Sequence, residues 1–103
     1  MAILLQQTMP MGVTVGMLDA VTEEMDVRGD PPKGLIVHVH YEQEGQTQVV
    51  DLWESRDAYD TFVADRLTPA MEKVAARQGA PAPAGEMPQA LRATEVHSLV
   101  RGA

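Results

Sequence analysis

The apolar patterns of this 103-residue chain predict an α+β fold, a ferredoxin-like protomer with a four-stranded antiparallel sheet and two helices. The first observation is the order of the patterns, in which runs of period two and runs of period 3.6 follow one another as βαββαβ. The second is the length, which suits a single domain over residues 1–103 and is too short for two independent cores. Right-handed crossovers then place the first and third strands at the centre of the sheet and the second and fourth at its edges.

The first two elements are a strand and a helix. Residues 2–9 begin with an apolar run that stops at Pro10, which indicates a short strand. Thr14 has the side chain of a helix N-cap, and apolar residues at helical spacing follow it to about Val27. The acidic residues of this helix, Asp19 among them, fall outside the apolar stripe, so we expect them to face away from the core.

A hairpin and the start of a second helix follow. Residues 35–42 and 46–54 are the clearest strands in the sequence, and Gly45 lies in the turn between them. Ser55, directly after the second of these strands, is a suitable N-cap for a helix. The sequence therefore predicts that this helix begins immediately after the hairpin.

Pro69 interrupts the second helix, because proline has no N–H and its ring clashes with the preceding turn. Thr68 before it is a suitable new N-cap, so we expect a kink or a restart at this point. Residues 80–89 hold three prolines and small side chains, which indicates a surface connection. The last strand is predicted over residues 92–100.

Composition excludes several classes of function. Eight Lys and Arg against fifteen Asp and Glu give a net charge of −7, which disfavours nucleic acid and anionic membranes as partners. Without cysteine the chain has no thiolate metal site and no cysteine nucleophile. The sequence has no glycine-rich phosphate loop and no nucleophile elbow. It also has no signal-peptide pattern and no apolar run of ~18 residues, so we expect a cytoplasmic protein without a membrane partner.

Both faces of the hairpin are apolar. In register about Gly45, position 40 lies opposite 49, position 38 opposite 51, and position 36 opposite 53. One face then carries Ile36, His38, His40, Val49, Asp51 and Trp53. The other carries Leu35, Val37, Val39, Val50 and Leu52. Because neither face suits water, we expect helices to cover one side of the sheet and a second protomer to cover the other, in a homodimer.

His38, Asp51 and Trp53 share the face expected beneath the helices. One interpretation is structural, with a core Trp beside a satisfied His–Asp hydrogen bond. A second is catalytic, in which Asp51 fixes the tautomer of His38 and His38 acts as a general base in a pocket. A wrong register or a solvent-exposed pair is the third.

His38 and His40, two residues apart on one strand, also have the spacing of a metal pair. Such a site needs a third ligand, which Asp51, Glu42 or a second protomer would have to supply. His97 lies about 14 Å away in this topology, out of reach within one protomer. We therefore predict no metal, and the sequence assigns no role to His40 or His97.

Short strings spread along the chain resemble one group of proteins. They are residues 9–10 (MP), 12–14 (GVT), 31–38 (PPKGLIVH), 50–55 (VDLWES), 62–63 (FV), 66–70 (RLTPA) and 96–100 (VHSLV). On these strings the chain resembles the small bacterial proteins of the dimeric α+β barrel superfamily, near the antibiotic biosynthesis monooxygenases. The likeness extends over nearly the whole chain, and the Trp-Glu-Ser turn at 53–55 is its most specific part.

The resemblance implies a homodimer in which two sheets form a barrel, with a pocket between sheet and helices in each protomer. Members of the monooxygenase branch oxidise phenolic or anthrone-type polyketides with dioxygen and without a cofactor. The resemblance places Trp53 in the pocket wall and either Gln6 or Gln7, of which we choose Gln6, as the residue that orients substrate. His38 is then the expected base and Asp51 its partner.

Ile36, Tyr59 and Phe62 are expected to complete a binding site for a small apolar or aromatic ligand. The haem-degrading branch of this fold needs a histidine on the second helix, and residues 56–78 contain none, so haem degradation is disfavoured. Other relatives have no known catalysis. They leave a second hypothesis open, that of a non-catalytic ligand-binding or stress-response protein.

Overall fold

The computed structural model describes residues 2–77 and 92–102. Its strands are β1 (Ile3–Thr8), β2 (Leu35–Gln43), β3 (Gln46–Trp53) and β4 (Arg92–Glu95). Its helices are α1 (Val15–Met25), α2 (Arg56–Phe62), a π-helical segment (Val63–Leu67) and α3 (Thr68–Arg77). The predicted element order is confirmed, with the second helix divided into three consecutive segments. Within the described residues, no helix is both long and apolar enough to cross a membrane.

The strands form one antiparallel sheet in the order β2-β3-β1-β4, which confirms that the first and third strands are central. β4 ends at Glu95, so the prediction that the last strand continues to residue 100 is wrong. The backbone N–H of Val96 still donates to the carbonyl of Ala2 at 3.0 Å. Because β1 begins at Ile3, no neighbouring strand of the described sheet runs beside residues 97–100.

Thr14 begins α1 as predicted, since its Oγ1 accepts a hydrogen bond from the backbone N–H of Met17 at 3.1 Å. The helix ends at Met25, two residues before the predicted end. Asp26 takes a left-handed conformation (φ 53°), which cannot continue a right-handed helix. Val21 is buried and packs against α3, so this contact holds α1 in place.

Ser55 caps α2 as predicted, since its Oγ accepts a hydrogen bond from the backbone N–H of Ala58 at 3.1 Å. The disturbance predicted near Pro69 is present as a π-helical turn, in which the N–H of Thr68 bonds to the carbonyl of Val63. This wider turn gives room to a proline ring that would clash with a carbonyl in a regular α-helix. Thr68 itself has helical angles (φ −60°, ψ −48°), so the prediction that it acts as a new N-cap is wrong.

The turn between β2 and β3 fixes the register of the hairpin. Its central residues Glu44 and Gly45 both have positive φ (54° and 78°), the geometry that follows the twist of the flanking strands. His38 therefore lies opposite Asp51, with His40 on the same face, as predicted.

A β-bulge interrupts the start of β2 between Leu35 and Val37. It places Leu35 opposite Trp53, where the register about the turn predicts Ile36. The prediction is wrong at this position because the bulge adds one residue to β2 that has no partner in β3. Leu35 packs against the core, and Ile36 lies beside Val37 in a cleft of the opposite face.

Two apolar clusters hold the helices on one face of the sheet. The first joins the sheet to α2 and consists of Ile3, Leu5, Trp53 and Tyr59. The second joins α1 to α3 and consists of Val21, Ala70 and Val74. On the other face, Val37, Val39 and Tyr41 are 42%, 45% and 39% exposed. The helices therefore cover one face of the sheet only.

Candidate functional site

Asp51 in the central strand β3 is the starting point of the candidate site. The residue is 7% exposed and shares the helix-covered face with Trp53. Its Oδ1 accepts a hydrogen bond from Nδ1 of His38 at 2.6 Å, and its Oδ2 accepts one from the indole Nε1 of Trp53 at 3.2 Å. Since an ionised carboxylate only accepts, Nδ1–H of His38 is the donor of this hydrogen bond, and Nε2 is the ring nitrogen that points away from Asp51.

A second histidine extends this pair toward α1. His40 lies two residues along β2, so its ring is on the same face as the ring of His38. Nδ1 of His40 is 2.9 Å from Nε2 of His38, and Nε2 of His40 donates to Oδ1 of Asp19 at 2.7 Å. Asp51, His38, His40 and Asp19 thus form one hydrogen-bonded row, which we call the His–Asp chain.

The His–Asp chain runs from the interior to the surface. The side chain of Asp51 is 10% exposed, whereas that of Asp19 on α1 is 63% exposed. Between them, the side chain of His40 is 15% exposed and that of His38 is 32% exposed. One end of the His–Asp chain is therefore buried and the other is exposed, and part of the His38 side chain is exposed between them.

An aromatic cluster, formed by Trp53, Tyr59 and Phe62, packs beside the buried end. The ring centre of Trp53 is 5.7 Å from that of Tyr59, edge on, and 5.1 Å from that of Phe62. The Tyr59 hydroxyl accepts a hydrogen bond from Nε2 of Gln7 at 3.0 Å. Burial raises the pKa of Tyr59 above its ordinary value of 10.0, because an apolar environment disfavours the phenolate.

Two shallow clefts lie away from these residues. One is between α1 and α3, where Ala20, Glu23 and Val74 line it. The other is on the open face of the sheet, where residues 99–102 approach Leu52. Neither is lined by the His–Asp chain or the aromatic cluster, so the pocket expected between sheet and helices is not one of these two.

The chain is similar in structure to several known proteins, but the sequence comparisons found no match. No protein-family profile matches the chain, and no curated protein matches it. The structural genomics protein YJCS superposes with a TM-score of 0.59 at 11% identity, covering 94% of this chain and 100% of its own. SnoaB, a cofactor-independent oxygenase from Streptomyces nogalater, superposes with a TM-score of 0.58 at 8% identity, covering 98% of this chain and 97% of its own.

Two further structures carry the name of one family. A protein from Chloroflexus aurantiacus, provisionally named an antibiotic biosynthesis monooxygenase, has a TM-score of 0.53 at 14% identity, covering 100% of this chain and 98% of its own. One from Bacteroides thetaiotaomicron with the same provisional name has a TM-score of 0.51 at 18% identity, covering 100% and 92%. This chain shares the α+β fold of these four structures. At these identities the likeness shows the fold, and the side chains decide the chemistry.

This shared fold brings most of the predicted site residues together. His38 contacts Asp51, and Trp53 bonds to the same carboxylate. Tyr59 and Phe62 of α2 pack on Trp53 from the helix side. One continuous group of five residues therefore joins β2, β3 and α2.

Two predicted ligand-binding residues lie elsewhere. Gln6 is exposed and pairs with Val50, so its side chain faces the open side of the sheet. Ile36 is turned to the same side by the bulge. Gln7, the alternative to Gln6, faces the core and is 7% exposed. Of the two glutamines, Gln7 is the one on the helix-covered face, because β1 presents Leu5 and Gln7 to the helices.

Asp19 is the candidate that sequence reasoning missed. The pattern of α1 predicts that its acidic residues face away from the core, and in the structure Asp19 reaches sideways to His40 of β2. A contact between a helix and a strand 21 positions apart has no periodic signature in the sequence. The second histidine on the inward face of β2 is the one signal that a further acceptor was required.

The structure arranges His38 and His40 differently from a metal-binding pair. All four ring nitrogens are engaged, with Asp51, with Asp19 and with each other. Across residues 2–77 and 92–102, no three His, Asp or Glu side chains converge as ligands of an ion would. His97 is exposed and lies two residues after the end of β4. The 80–89 connection lies outside the described residues.

Proposed function

We propose that this chain is a small-molecule enzyme of the cofactor-independent oxygenase class that acts on an aromatic, polyketide-type metabolite. One observation carries the proposal: a buried carboxylate, that of Asp51, accepts hydrogen bonds from both His38 and Trp53. This arrangement places a candidate general base, His38, beside the aromatic side chain of Trp53. The fold likeness to SnoaB, which is named a cofactor-independent oxygenase, supports the class.

His38 is the base in this proposal, and Asp51 is the residue that orients it. With Nδ1 held, Nε2 takes a proton from an acidic carbon of the substrate, and the Asp51 carboxylate stabilises the imidazolium. The resulting carbanion reduces dioxygen. At a methylene between two aromatic rings both C–H bonds are lost, one oxygen atom becomes the ketone and the other leaves as water, so no external reductant is needed.

The aromatic cluster is proposed to form the substrate-facing wall, with Gln7 in place of Gln6 as its polar group. Flat aromatic ligands pack well against rings that are already fixed in position. Trp53 and Tyr59 are 1% and 5% exposed, so they offer little free surface, whereas His38 is accessible. We therefore expect the substrate to approach from the His38 side.

We also propose that two copies of the chain associate through the open face of the sheet. Val37, Val39 and Tyr41 form a row there and are 39–45% exposed. Apolar side chains in a row on one face are typical of a surface that another layer covers. A second copy suits this row, because a two-fold axis sets the same apolar surface against itself.

Oxygen uptake with a hydroxyanthrone tests the proposed reaction. We expect the wild-type protein to consume one dioxygen for each ketone formed, without added metal, flavin or nicotinamide. His38→Gln keeps most of the side-chain volume and removes the base, so turnover should fall by about 10²–10⁴-fold. His97→Gln is the matched control, since His97 is exposed and is not part of the His–Asp chain. A wild-type rate in His38→Gln would contradict the proposal.

A non-catalytic ligand-binding protein is the second candidate. The observation that favours it is the pairing of buried polar groups: in the described part of the chain, no buried side-chain nitrogen or oxygen lacks a hydrogen-bond partner. A fully satisfied His–Asp pair is also what a structural core requires. This candidate predicts that the hydroxyanthrone raises the Tm of the protein without oxygen uptake. Ketone product in the same samples would exclude it.

A further inference from the structure

The His–Asp chain contains three hydrogen-bond gaps, between Asp51 and His38, between His38 and His40, and between His40 and Asp19. Each gap needs one proton. Two neutral imidazoles supply two protons, and two ionised carboxylates supply none. With both carboxylates ionised, a His–Asp chain that is bonded at all three gaps therefore holds one proton more than two neutral imidazoles supply.

The extra proton can lie at several places in the same framework. Each move shifts a proton across a gap of 2.6–2.9 Å between fixed heavy atoms. Positive charge can therefore pass between Asp51 inside the protein and Asp19 on the surface of α1 without movement of the backbone. This path connects the proposed base to water through side chains only.

We propose that His40 and Asp19 are a proton relay that resets His38 after it has taken up a proton. The use of the relay in catalysis rests on the function proposed above. Before His38 takes up a proton, the gap between His38 and His40 holds no proton. The hydrogen bond between these two rings is then absent, and Nε2 of His38 is free to face substrate. After uptake the proton on Nε2 of His38 passes to Nδ1 of His40, and the proton on Nε2 of His40 passes to Asp19 and from Asp19 to water, so His38 is neutral again. His40 returns to its Nε2–H form by exchanging protons with water, which clears Nε2 of His38 for the next turnover. Because His40 and Asp19 do not touch substrate in this scheme, they are relay residues and His38 remains the base.

The charges around the rings agree with such a path. The titratable groups in contact with the two imidazoles are Asp51 from β3 and Asp19 from α1. Glu42 is an exposed residue two positions after His40 on β2, and Tyr59 of α2 interacts with Asp51. The arginines from α2 to α3 bind elsewhere. Arg56 bonds to the carboxylate of Asp60, Arg66 to the carbonyl of Met25 and Arg77 to the carboxylate of Glu24. The two carboxylates at the ends of the His–Asp chain therefore dominate the field at the imidazoles.

Trp53 reports on the buried end of the relay without any substrate. It is the single tryptophan of the chain, and its Nε1–H donates to Asp51. Its emission should therefore change when the His–Asp chain loses its extra proton. Burial keeps the pKa of Tyr59 above 10.0, so the phenol does not ionise between about pH 5 and pH 9 and does not disturb this signal.

The test is a pH titration of Trp53 fluorescence in the whole protein with the exposed end of the relay altered. Asp19→Asn removes the anion beside His40, so the extra proton should be lost more easily and the midpoint should fall by about half to one pH unit. Glu23→Gln is the matched control, because it removes one exposed charge from the same helix outside the His–Asp chain. Its midpoint should stay within about 0.2 units of wild type.

A double-variant cycle shows whether the effect passes through His40. His40→Gln keeps a polar side chain and removes the second imidazole, so adding Asp19→Asn to it should move the midpoint no further. A shift that persists in this background would be a field effect through space and would overturn the relay. The relay is equally overturned by a wild-type midpoint in Asp19→Asn, or by a Trp53 emission that does not depend on pH. Because Asp19 is 63% exposed, Asp19→Asn should fold normally, which far-UV circular dichroism checks.

The experiments can disprove the relay and the proposed function independently of each other. Coupling between Asp19 and Trp53 without oxygen uptake would leave the relay standing and remove the oxygenase. Oxygen uptake without this coupling would keep the oxygenase and overturn the relay.

Discussion

Asp51 determines what its neighbours can do. Its two oxygens are divided between an imidazole and an indole, so one buried charge is stabilised by two donors. The position of Trp53 therefore depends on the same carboxylate that orients His38. Removing one partner leaves a buried polar group unpaired, which costs about 1–3 kcal/mol of stability.

Tyr59→Phe is expected to change how stability depends on pH. Burial raises the pKa of Tyr59 above 10.0 in the folded protein, so the folded state keeps a phenol proton that the unfolded chain loses. This contribution to the free energy of unfolding is present below pH 10 and is lost as the pH rises through the folded pKa. Tyr59→Phe should remove this loss, and it should cost about 1 kcal/mol at neutral pH because Gln7 loses its acceptor.

Urea unfolding at about pH 8 and about pH 11 measures both effects of Tyr59→Phe. Tyr41→Phe, on the open face of the sheet, is the control and should keep the wild-type loss of stability at high pH. If Tyr59→Phe loses as much stability between the two conditions as wild type does, Tyr59 is not the group responsible.

Strand alternation and the turn at Gly45 are sufficient to place His38 opposite Asp51 from the sequence alone. The same reasoning fails for the position of Ile36, because the bulge adds a residue to one strand and has no signature in the periodicity of the sequence. The contact between Asp19 and β2 is not predicted either, since it depends on how a helix packs beside a strand. The buried half of the candidate site is therefore predictable, and its surface half is not.

Gly34 joins the loop before β2 to the first turn of α2. It has φ of 88°, and a Cβ at this position would lie 2.6 Å from Cβ of Ala58. Its carbonyl accepts a hydrogen bond from the N–H of Glu54 at 2.8 Å. The start of β2 is thus held against the N-terminus of α2 by a contact that only glycine allows.

Gly34→Ala is expected to destabilise the protein more than Gly12→Ala does. Gly12 also has positive φ (95°), and a Cβ at this position would meet no atom within 4 Å, so its substitution shows the backbone cost alone. Gly34→Ala adds a clash worth about 1–3 kcal/mol. Ala58→Gly in the Gly34→Ala background should recover that added part. Thermal or urea unfolding measures all three variants, and equal losses for the two glycine substitutions would contradict this account.

Helix caps are the elements that the sequence predicts best. Thr14 and Ser55 act as caps because a short side chain with a hydroxyl can reach a backbone N–H only two or three residues ahead. Pro69 predicts that the second helix is disturbed but not the form of the disturbance, since a kink, a restart and a π-turn all relieve the same clash. The length of β4 depends on where its neighbour begins, which is a property of the pairing rather than of residues 92–100.

Val39→Lys is expected to separate two associated copies of the chain. Val39 is 45% exposed in the row on the open face, and a buried ammonium there would lack a partner. Native mass spectrometry should show a dimer for wild type and a monomer for Val39→Lys. Met11→Lys, at a position that is 78% exposed outside the sheet, should remain a dimer. A wild-type monomer would remove the proposed association.

At the scale of the whole molecule, the order of elements and the handedness of crossovers are sufficient to derive the strand order β2-β3-β1-β4. Both rules use only local periodicity and chain connectivity. Association and ligand depend on surfaces that meet other molecules, and periodicity says that such a surface exists without saying what covers it. The fold is therefore predictable from this sequence to a greater depth than the function is.

The bulge at Ile36 also separates two parts of β2 that are positioned from opposite ends. Gly34 fixes the start of the strand against α2, and the 44–45 turn fixes the part that carries His38 and His40. The residue between them has no partner in β3. A change of length in the loop before β2 should therefore leave the register of the histidine pair unchanged, because the turn sets that register from the other end of the strand.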